Sequence, residues 1–287
     1  MTGQKGSLDN LSINFATVRQ GGTFGEIVDA CLRHGISAIS PWREHVAAAG
    51  LEEAARIVAS NGLKVTGHCR GGFFPAPDVA GRRAAIEDNR RAIDEAAALK
   101  ADCLVMVVGG LPKGSRDIAG ARAMVADGMA EILPYARQAG VKLALEPLHP
   151  FYAADRACLN TLKQSLDLCD TLGEGVGVAI DVYHVWWDPD LEAQVARAGR
   201  NGQIFAHHIC DWLVPTTDPL NDRGMMGDGV IDLPRFRRMI EAAGFFGPQE
   251  VEIFSHRWQA RPVDEVLSVI VERFANVCQP GASPAAA

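Results

Sequence analysis

The sequence predicts an α/β chain folded as a single (β/α)8 TIM barrel. Apolar, strand-like runs alternate with amphipathic helical runs eight times. Glycines stand where several of those helical runs end, as a helix C-terminal cap requires. Glu146, Asp181, His208 and Glu252 each end an apolar, β-branched run, and the gaps between them are 35, 27 and 44 residues. Each gap holds a strand, a helix and two loops. With 287 residues and 48% hydrophobic content, the chain suits one large core of barrel size.

The first unit reads as a strand at Leu11–Val18 and a helix at Phe24–His34, closed by Gly35. Ile36–Trp42 then leads to a helix at Leu51–Ser60, with Gly62 behind it. Lys64–His68 precedes a long helix over Arg82–Lys100, and Cys103–Val108 precedes another over Ile118–Ala139, closed by Gly140. Lys142–Glu146 is followed by Thr161–Leu172 and Gly173; Gly177–Asp181 by Leu191–Ala198 and Gly199. Ile204–Cys210 is followed, after a long loop, by Leu233–Ala243 and Gly244, and Glu250–Phe254 by Val263–Val277. Eight β-then-α units are what a closed parallel barrel needs. A doubly wound open sheet is the runner-up, but no Gly-x-Gly-x-x-Gly follows any strand. No linker, repeat or composition shift divides residues 1–278, read as one domain; the Pro- and Ala-rich tail 279–287 reads as disordered.

Bulk properties exclude several classes. A net charge of −7 without basic patterning argues against a nucleic-acid surface. No apolar run reaches the roughly 18 residues of a membrane span, and Met1 to Asn10 lack a cationic and apolar signal segment. Seven scattered cysteines without a Cys-x-x-Cys pair suit a reducing, cytoplasmic location.

In a parallel barrel the C-terminal strand ends converge on one face. Side chains alternate inward and outward along each strand. With Glu146 inward, Ala144 also points in while Leu143 and Leu145 face the helices. With Asp181 inward, Ala179 points in while Val178 and Ile180 face out. On the seventh strand either His208 or His207 can point in. His208 is preferred, because Phe205 then packs on helices and Ala206 suits the interior. Two Glu, one Asp and one His make a hard, mostly oxygen site for a divalent cation such as Mn²⁺ or Mg²⁺. Asp211 stands near His208 as a candidate acceptor for its second ring nitrogen.

The chain resembles the sugar phosphate isomerase/epimerase superfamily, the xylose-isomerase-like barrels, over roughly residues 11 to 277. The resemblance rests on Leu145-Glu146-Pro147, Asp181-Val182-Tyr183-His184, His208-Ile209-Cys210-Asp211, Gly227-Asp228-Gly229 and Val251-Glu252-Ile253-Phe254. Within it, the chain looks most like the 2-keto-myo-inositol isomerases and, a little further away, the ketose 3-epimerases. The resemblance implies one divalent metal, Mn²⁺ ahead of Mg²⁺ or Co²⁺, held by Glu146, Asp181, His208 and Glu252. It further implies the two Glu as acid/base groups and His184 as a substrate contact. One departure stands out. Ketose 3-epimerases carry a substrate-holding Arg six positions after the metal His, where this chain has Val214 and then Pro215. Its long loop from Leu213 to Met226 instead offers Asn221, Asp222, Arg223 and Met225 to cover the mouth.

The chemistry these residues permit is α-proton removal from a polyhydroxylated keto compound, giving an enediolate that a Lewis-acidic cation stabilises. One carboxylate takes the proton and a second group returns it. Trp42, His68, Arg70, Lys113, His149, His184 and Arg223 fall near the same end and suit a polyol; of these, Trp42, His68, His184 and Arg223 are the candidate substrate contacts. Trp186 and Trp187 read as a sugar-stacking wall, as packing, or as an interface with a second copy or another subunit. The loop after the eighth strand has no glycine-rich phosphate cradle, which favours an unphosphorylated substrate. Three other outcomes stay open. A lyase could expel a β-leaving group from a keto-sugar or 3-keto-glycoside, C-glycosides included. A DNA-repair endonuclease shares the fold but needs more His ligands and a basic face. A non-catalytic sugar-binding protein would keep the ligands without the reaction.

Overall fold

A computed structural model describes residues 8–278. The proposed tail 279–287 and the first seven residues lie outside the described part. The strands are β1 (Leu11–Asn14), β2 (Ala38–Ser40), β3 (Lys64–Val65), β4 (His68–Gly72), β5 (Leu104–Val107), β6 (Leu143–Leu145), β7 (Val176–Asp181), β8 (Ile204–Ile209) and β9 (Gln249–Val251). All neighbours are parallel, in the order β3-β2-β1-β9-β8-β7-β6-β5-β4. The two ends of this order, β3 and β4, are successive pieces of one chain segment. The barrel therefore closes on itself, with a bridge between Trp42 and Cys69 across the seam.

The expected third strand, Lys64–His68, is thus two pieces. Thr66 still pairs with β2, its N–H donating to Ile39 O at 2.9 Å, whereas His68 N–H donates to Cys103 O at 3.0 Å on the β5 side. The segment changes partner at Gly67, where a Cβ would lie 3.1 Å from Ser40 Oγ and 3.4 Å from Glu250 Oε2. That handover produces nine strand segments where eight strands are expected.

The helix layer consists of α1 (Phe24–Arg33), α2 (Arg43–Ala49), α3 (Leu51–Ser60), α4 (Val79–Ala98), α5 (Ile118–Gln138), α6 (Leu162–Leu172), α7 (Val182–Val185), α8 (Leu191–Arg200), α9 (Leu233–Ala242), α10 (His256–Gln259) and α11 (Val263–Asn276). The short α2, α7 and α10 follow strand ends and are invisible to a periodicity reading. A full capping box starts α1, with Thr23 and Glu26 bonding each other's backbone N–H. Gly35, Gly62, Gly140, Gly173 and Gly244 take positive φ at helix ends, as expected, but Gly199 does not. It lies inside α8, where a Cβ would come within 2.2 Å of Ala243 O, and Gly202 takes the terminal role. Among the described residues no helix is long and apolar enough to cross a membrane.

The main core lies between strands and helices and contains Leu143, Leu145, Val178 and Ile180. Each such side chain, fully buried, contributes about 1.5–3 kcal/mol. A second cluster fills the barrel with small residues: Cys69, Cys103, Val105, Ala144, Ala179 and Ala206. The expected alternation therefore holds for Ala144 and Ala179. Phe205 departs from it. A register shift between Val178 and Ala179 leaves Phe205 without a rung; its ring packs against the interior cluster and lies over Gly177 instead of on the helices. The opposite wall of the interior is polar, with Ser12 Oγ 2.8 Å from Thr66 Oγ1.

Candidate metal and substrate site

The ends of β6, β7, β8 and β9 bring Glu146, Asp181, His208 and Glu252 together. One ligand atom from each lies within 4.8 Å of all the others, and all four residues are buried. Asp181 is the last residue of β7 and also caps α7, accepting from Tyr183 N–H at 2.8 Å. Glu146 and Glu252 stand one residue beyond their ladders, where the backbone N–H groups still reach Met106 O and Ile209 O at 3.2 and 3.1 Å.

His208, not His207, points inward. Its Nδ1 lies 3.0 Å from Glu146 Oε1 and 3.8 Å from Glu252 Oε2. His207 is buried, with neither ring nitrogen bonded, and burial lowers its pKa to about 3. The acceptor expected behind His208 was Asp211, but the carboxylate there is Glu250. Glu250 Oε1 sits 3.4 Å from His208 Nε2, a charge contact without hydrogen-bond alignment. Asn14 Nδ2 donates to Glu250 at 2.7 Å and to Glu252 at 3.0 Å, and Thr66 Oγ1 donates to Glu250 at 2.8 Å. Trp42 Nε1 in turn donates to Asn14 Oδ1 at 2.6 Å. Sequence reasoning missed Asn14 and Glu250. Alternation offered a signal for Glu250, which is two residues before Glu252 and so shares its face.

Asp211 serves the loop after β8. Its carboxylate accepts from the N–H groups of Trp212, Gly227, Gly229 and Ile231 at 2.9–3.0 Å. This folds the loop back so that Asp211 pairs with Gly224 and Asp222 with Ser255. Arg223 is thereby driven into the barrel mouth. Its Nη1 donates to Asp181 Oδ2 at 2.8 Å and to Glu252 Oε2 at 3.1 Å, and Nη2 lies 3.1 Å from His184 Nε2. The guanidinium is stacked between the Tyr183 and Phe254 rings, 4.5 and 5.1 Å from their centroids.

His184 also takes the His149 backbone N–H at Nδ1, 3.2 Å away. Burial, reinforced by Arg223 against the pull of Asp181, lowers its pKa to about 3. The ring is neutral and has one acceptor nitrogen, so only one of its two donor neighbours is satisfied. Trp42 lines the mouth beside Phe254. His68 does not belong there. Its Nδ1 meets Pro41 O and its Nε2 meets Glu95 on α4, both at 3.0 Å, so the ring faces the helix layer. The change of partner at Gly67 alters which way His68 points.

Electrostatics separate the acids. Burial opposes ionisation of Asp181, but Arg223, His184 and His208 outweigh it and hold the pKa at about 2. Burial raises Glu252 to about 8, with Glu146 adding to the shift and Arg223 opposing it. Burial disfavours the His208 cation, yet Glu250, Glu146 and Glu252 together raise its pKa well above the ordinary imidazole value. A cluster of buried carboxylates beside one imidazole fits a divalent cation: the donors are hard, and extra positive charge would offset the burial and the Glu146 charge that keep Glu252 protonated.

A narrow cavity of about 40 Å³ touches Glu146, Glu252, His184 and Arg223. It opens past Trp42, Arg70, Arg156 and Phe254 into an outer cavity of about 530 Å³ that shares those residues.

The model of the xylose isomerase-like TIM barrel family matches residues 26–273. No curated protein matches the chain significantly. A crystal structure of a protein from Sinorhizobium meliloti 1021 is 68% identical, covering 95% of this chain and 100% of that one, with a TM-score of 0.94. A structure of the IOLI protein with a bound zinc atom is 21% identical over 94% of this chain and 98% of that one, with a TM-score of 0.79. A D-psicose 3-epimerase crystallised in the presence of D-fructose is 17% identical over 93% and 97%, with a TM-score of 0.73. The last two share the fold.

Proposed function

The chain belongs to the xylose isomerase-like TIM barrel family, and from that premise we propose that it is a divalent-metal-dependent isomerase or epimerase of a keto-sugar or keto-inositol. The observation that carries this reading is the convergence of Glu146, Asp181, His208 and Glu252 within 4.8 Å at the base of a mouth cavity. These four would hold the cation, with Mn²⁺ ahead of Mg²⁺ or Co²⁺. When bound, it would supply Lewis-acid polarisation of a substrate carbonyl.

The chain's own residues do the proton work. Glu146 and Glu252 come from β6 and β9, on different sides of the mouth, and form the acid/base pair: one carboxylate takes an α-proton to give an enediolate, the other returns a proton to it. Asp181, held ionised by Arg223, is a ligand only. Arg223 and His184 orient substrate hydroxyls, and Trp42 with Phe254 forms the apolar wall that keeps water from the reacting carbon.

The test is incubation with Mn²⁺ and a panel of inososes, ketoses and 3-keto-glycosides in D₂O, followed by NMR. The expected result is deuterium at the α-carbon of an isomerised or epimerised product. Elimination without reprotonation would replace this reading by the lyase one. At saturating Mn²⁺, Glu146→Gln and Glu252→Gln should keep metal and lose roughly 10²–10⁴-fold in exchange, while added metal should partly rescue Asp181→Asn. Wild-type exchange in both metal-loaded Glu variants would overturn the assignment.

A further inference from the structure

We propose that Arg70 and Arg156 form an oxyanion-recognition pair at the mouth, so that the substrate is a keto-sugar bearing a carboxylate or phosphate group; the inference rests on the isomerase reading for the keto end only. Both arginines line the narrow inner cavity and the wide outer one. A ligand seated in the outer cavity meets Glu146 and Glu252 through the inner one. The outer cavity contains two further arginines and two acids, and those neutralise each other. Arg19 pairs with Glu44 at 2.6 Å, and Arg43 pairs with Asp88 at 2.8 Å. Arg70 and Arg156 have no carboxylate within 4.0 Å among the described residues. The wall therefore keeps two guanidinium groups without an ion-pair partner among the described residues.

Each of these guanidinium groups has an aromatic ring within cation–π range. Arg70 lies over the Phe73 ring, 4.1 Å from the centroid, and Arg156 over Tyr152 at 5.9 Å. A cation–π contact uses none of the guanidinium N–H groups, and those match the two oxygens of a carboxylate or phosphate. The backbone around Arg70 is rigidly built. Asn89, fully buried in α4, bonds both the N–H and the C=O of Gly72, at 2.6 and 2.8 Å. A Cβ on Gly72 would fall 1.9 Å from Val107 O, so β4 lies close against β5. The Arg156 loop is tied to the loop after β5, with Gly109 bridged to Ala157 and Leu111 N–H donating to Ala154 O at 2.8 Å. Burial lowers the Arg70 pKa and the Arg156 charge lowers it further, the response of a cation facing another cation. A bound anion would relieve that repulsion. Such a ligand would place its acid group between Arg70 and Arg156 and its carbonyl carbons further in, beside His184 and Arg223.

The test is calorimetric binding to the full-length, Mn²⁺-loaded protein of three sugars: neutral D-fructose, D-glucuronate as the carboxylate probe, and D-fructose 6-phosphate as the phosphate probe. At least one anion should bind about tenfold or more tightly than the neutral sugar, because hydrogen bonds to charged groups are the strong ones. Which one does so identifies the acid. Arg70→Ala and Arg156→Ala should each erase the preference and leave Mn²⁺ affinity unchanged, which also reports on folding. Arg156→Lys, keeping charge without the fork, should retain part of it. Equal affinity for neutral and anionic sugars, or a preference that survives both Ala variants, overturns the proposal. An anion preference that both arginines control, without α-proton exchange on any substrate, sustains the pair and sinks the isomerase reading alone.

Discussion

Arg223 Nη1 lies 2.8 Å from Asp181 Oδ2 where the two residues are only 4% and 0% exposed. This pairing joins a long loop to the end of β7 and places a cation beside two prospective metal ligands. A buried pair of this kind is more costly to break than it is worth as a pair, because the surviving charge is left without a partner.

Removing Arg223 should therefore be severe in the metal-free protein. Arg223→Met keeps the stem and deletes the charge that Asp181 and Glu252 share. In chelator, a loss of about 3–5 kcal/mol is expected by denaturant unfolding. With Mn²⁺ present, much of that loss should return, since the cation supplies positive charge to the same carboxylates. Equal losses with and without metal would contradict this account.

The pH response follows from Glu252, Asp181 and the two buried neutral imidazoles, His184 and His207. Glu252 sits at about 8 when folded, against 4.5 as a free carboxyl, so the folded metal-free protein holds an extra proton between those values. Glu252 therefore lowers stability as pH rises from about 4.5 to about 8, while His184 and His207, at about 3 when folded against 6.5 unfolded, raise it up to about 6.5, so the net fall is expected between about 6.5 and about 8. Asp181 works in the opposite sense: its contribution is present above 3.8 and is lost as pH falls towards about 2. Metal binding must displace the Glu252 proton and the one on His208, so affinity should strengthen as pH rises towards 8. Calorimetry in buffers of different ionisation enthalpy would count the released protons. A pH-independent affinity with no proton release would refute the assignment.

Glu250 should matter to metal affinity without binding metal. Glu250→Gln keeps the shape and one acceptor oxygen for Asn14, turns its NH2 towards the Thr66 hydroxyl, which can accept, and removes the charge behind His208. Losing an outer partner of this kind weakens metal binding by roughly 10–100-fold. At saturating Mn²⁺, α-proton exchange should return close to the wild-type rate. A persistent defect in the metal-saturated variant would make Glu250 part of the proton chemistry.

Asp211→Ala leaves four backbone N–H groups without their acceptor. An unmade buried hydrogen bond costs about 1–3 kcal/mol, so with some water entry the total loss should exceed about 3 kcal/mol. Amide hydrogen exchange at Gly227, Gly229 and Ile231 should speed up more than exchange in β6 or β7. Unchanged protection there would mean that Asp211 does not hold the loop.

The sequence by itself determined the barrel, its order of strands and helices, and the four residues that converge at its mouth. These are consequences of local pattern. Alternation along a strand decides which side chains face in, so Ala144 and Ala179 were legible beside Glu146 and Asp181. Helix ends were legible through glycines that must take positive φ. What the tertiary structure decided are relationships between segments far apart in the chain. The handover at Gly67 turned His68 away from the mouth, and a register shift left Phe205 packed, half-buried, against the interior cluster. Asp211 lay close to His208 in sequence but was engaged by a loop closing on itself, so Glu250 took the place behind the imidazole. Pattern placed Arg70 near the mouth but did not single out Arg156, and that both lack an ion-pair partner shows only once the pairing of Arg19 with Glu44 and Arg43 with Asp88 is known. Charge balance at a site is a sum over neighbours in space, and local sequence pattern carries no record of that sum.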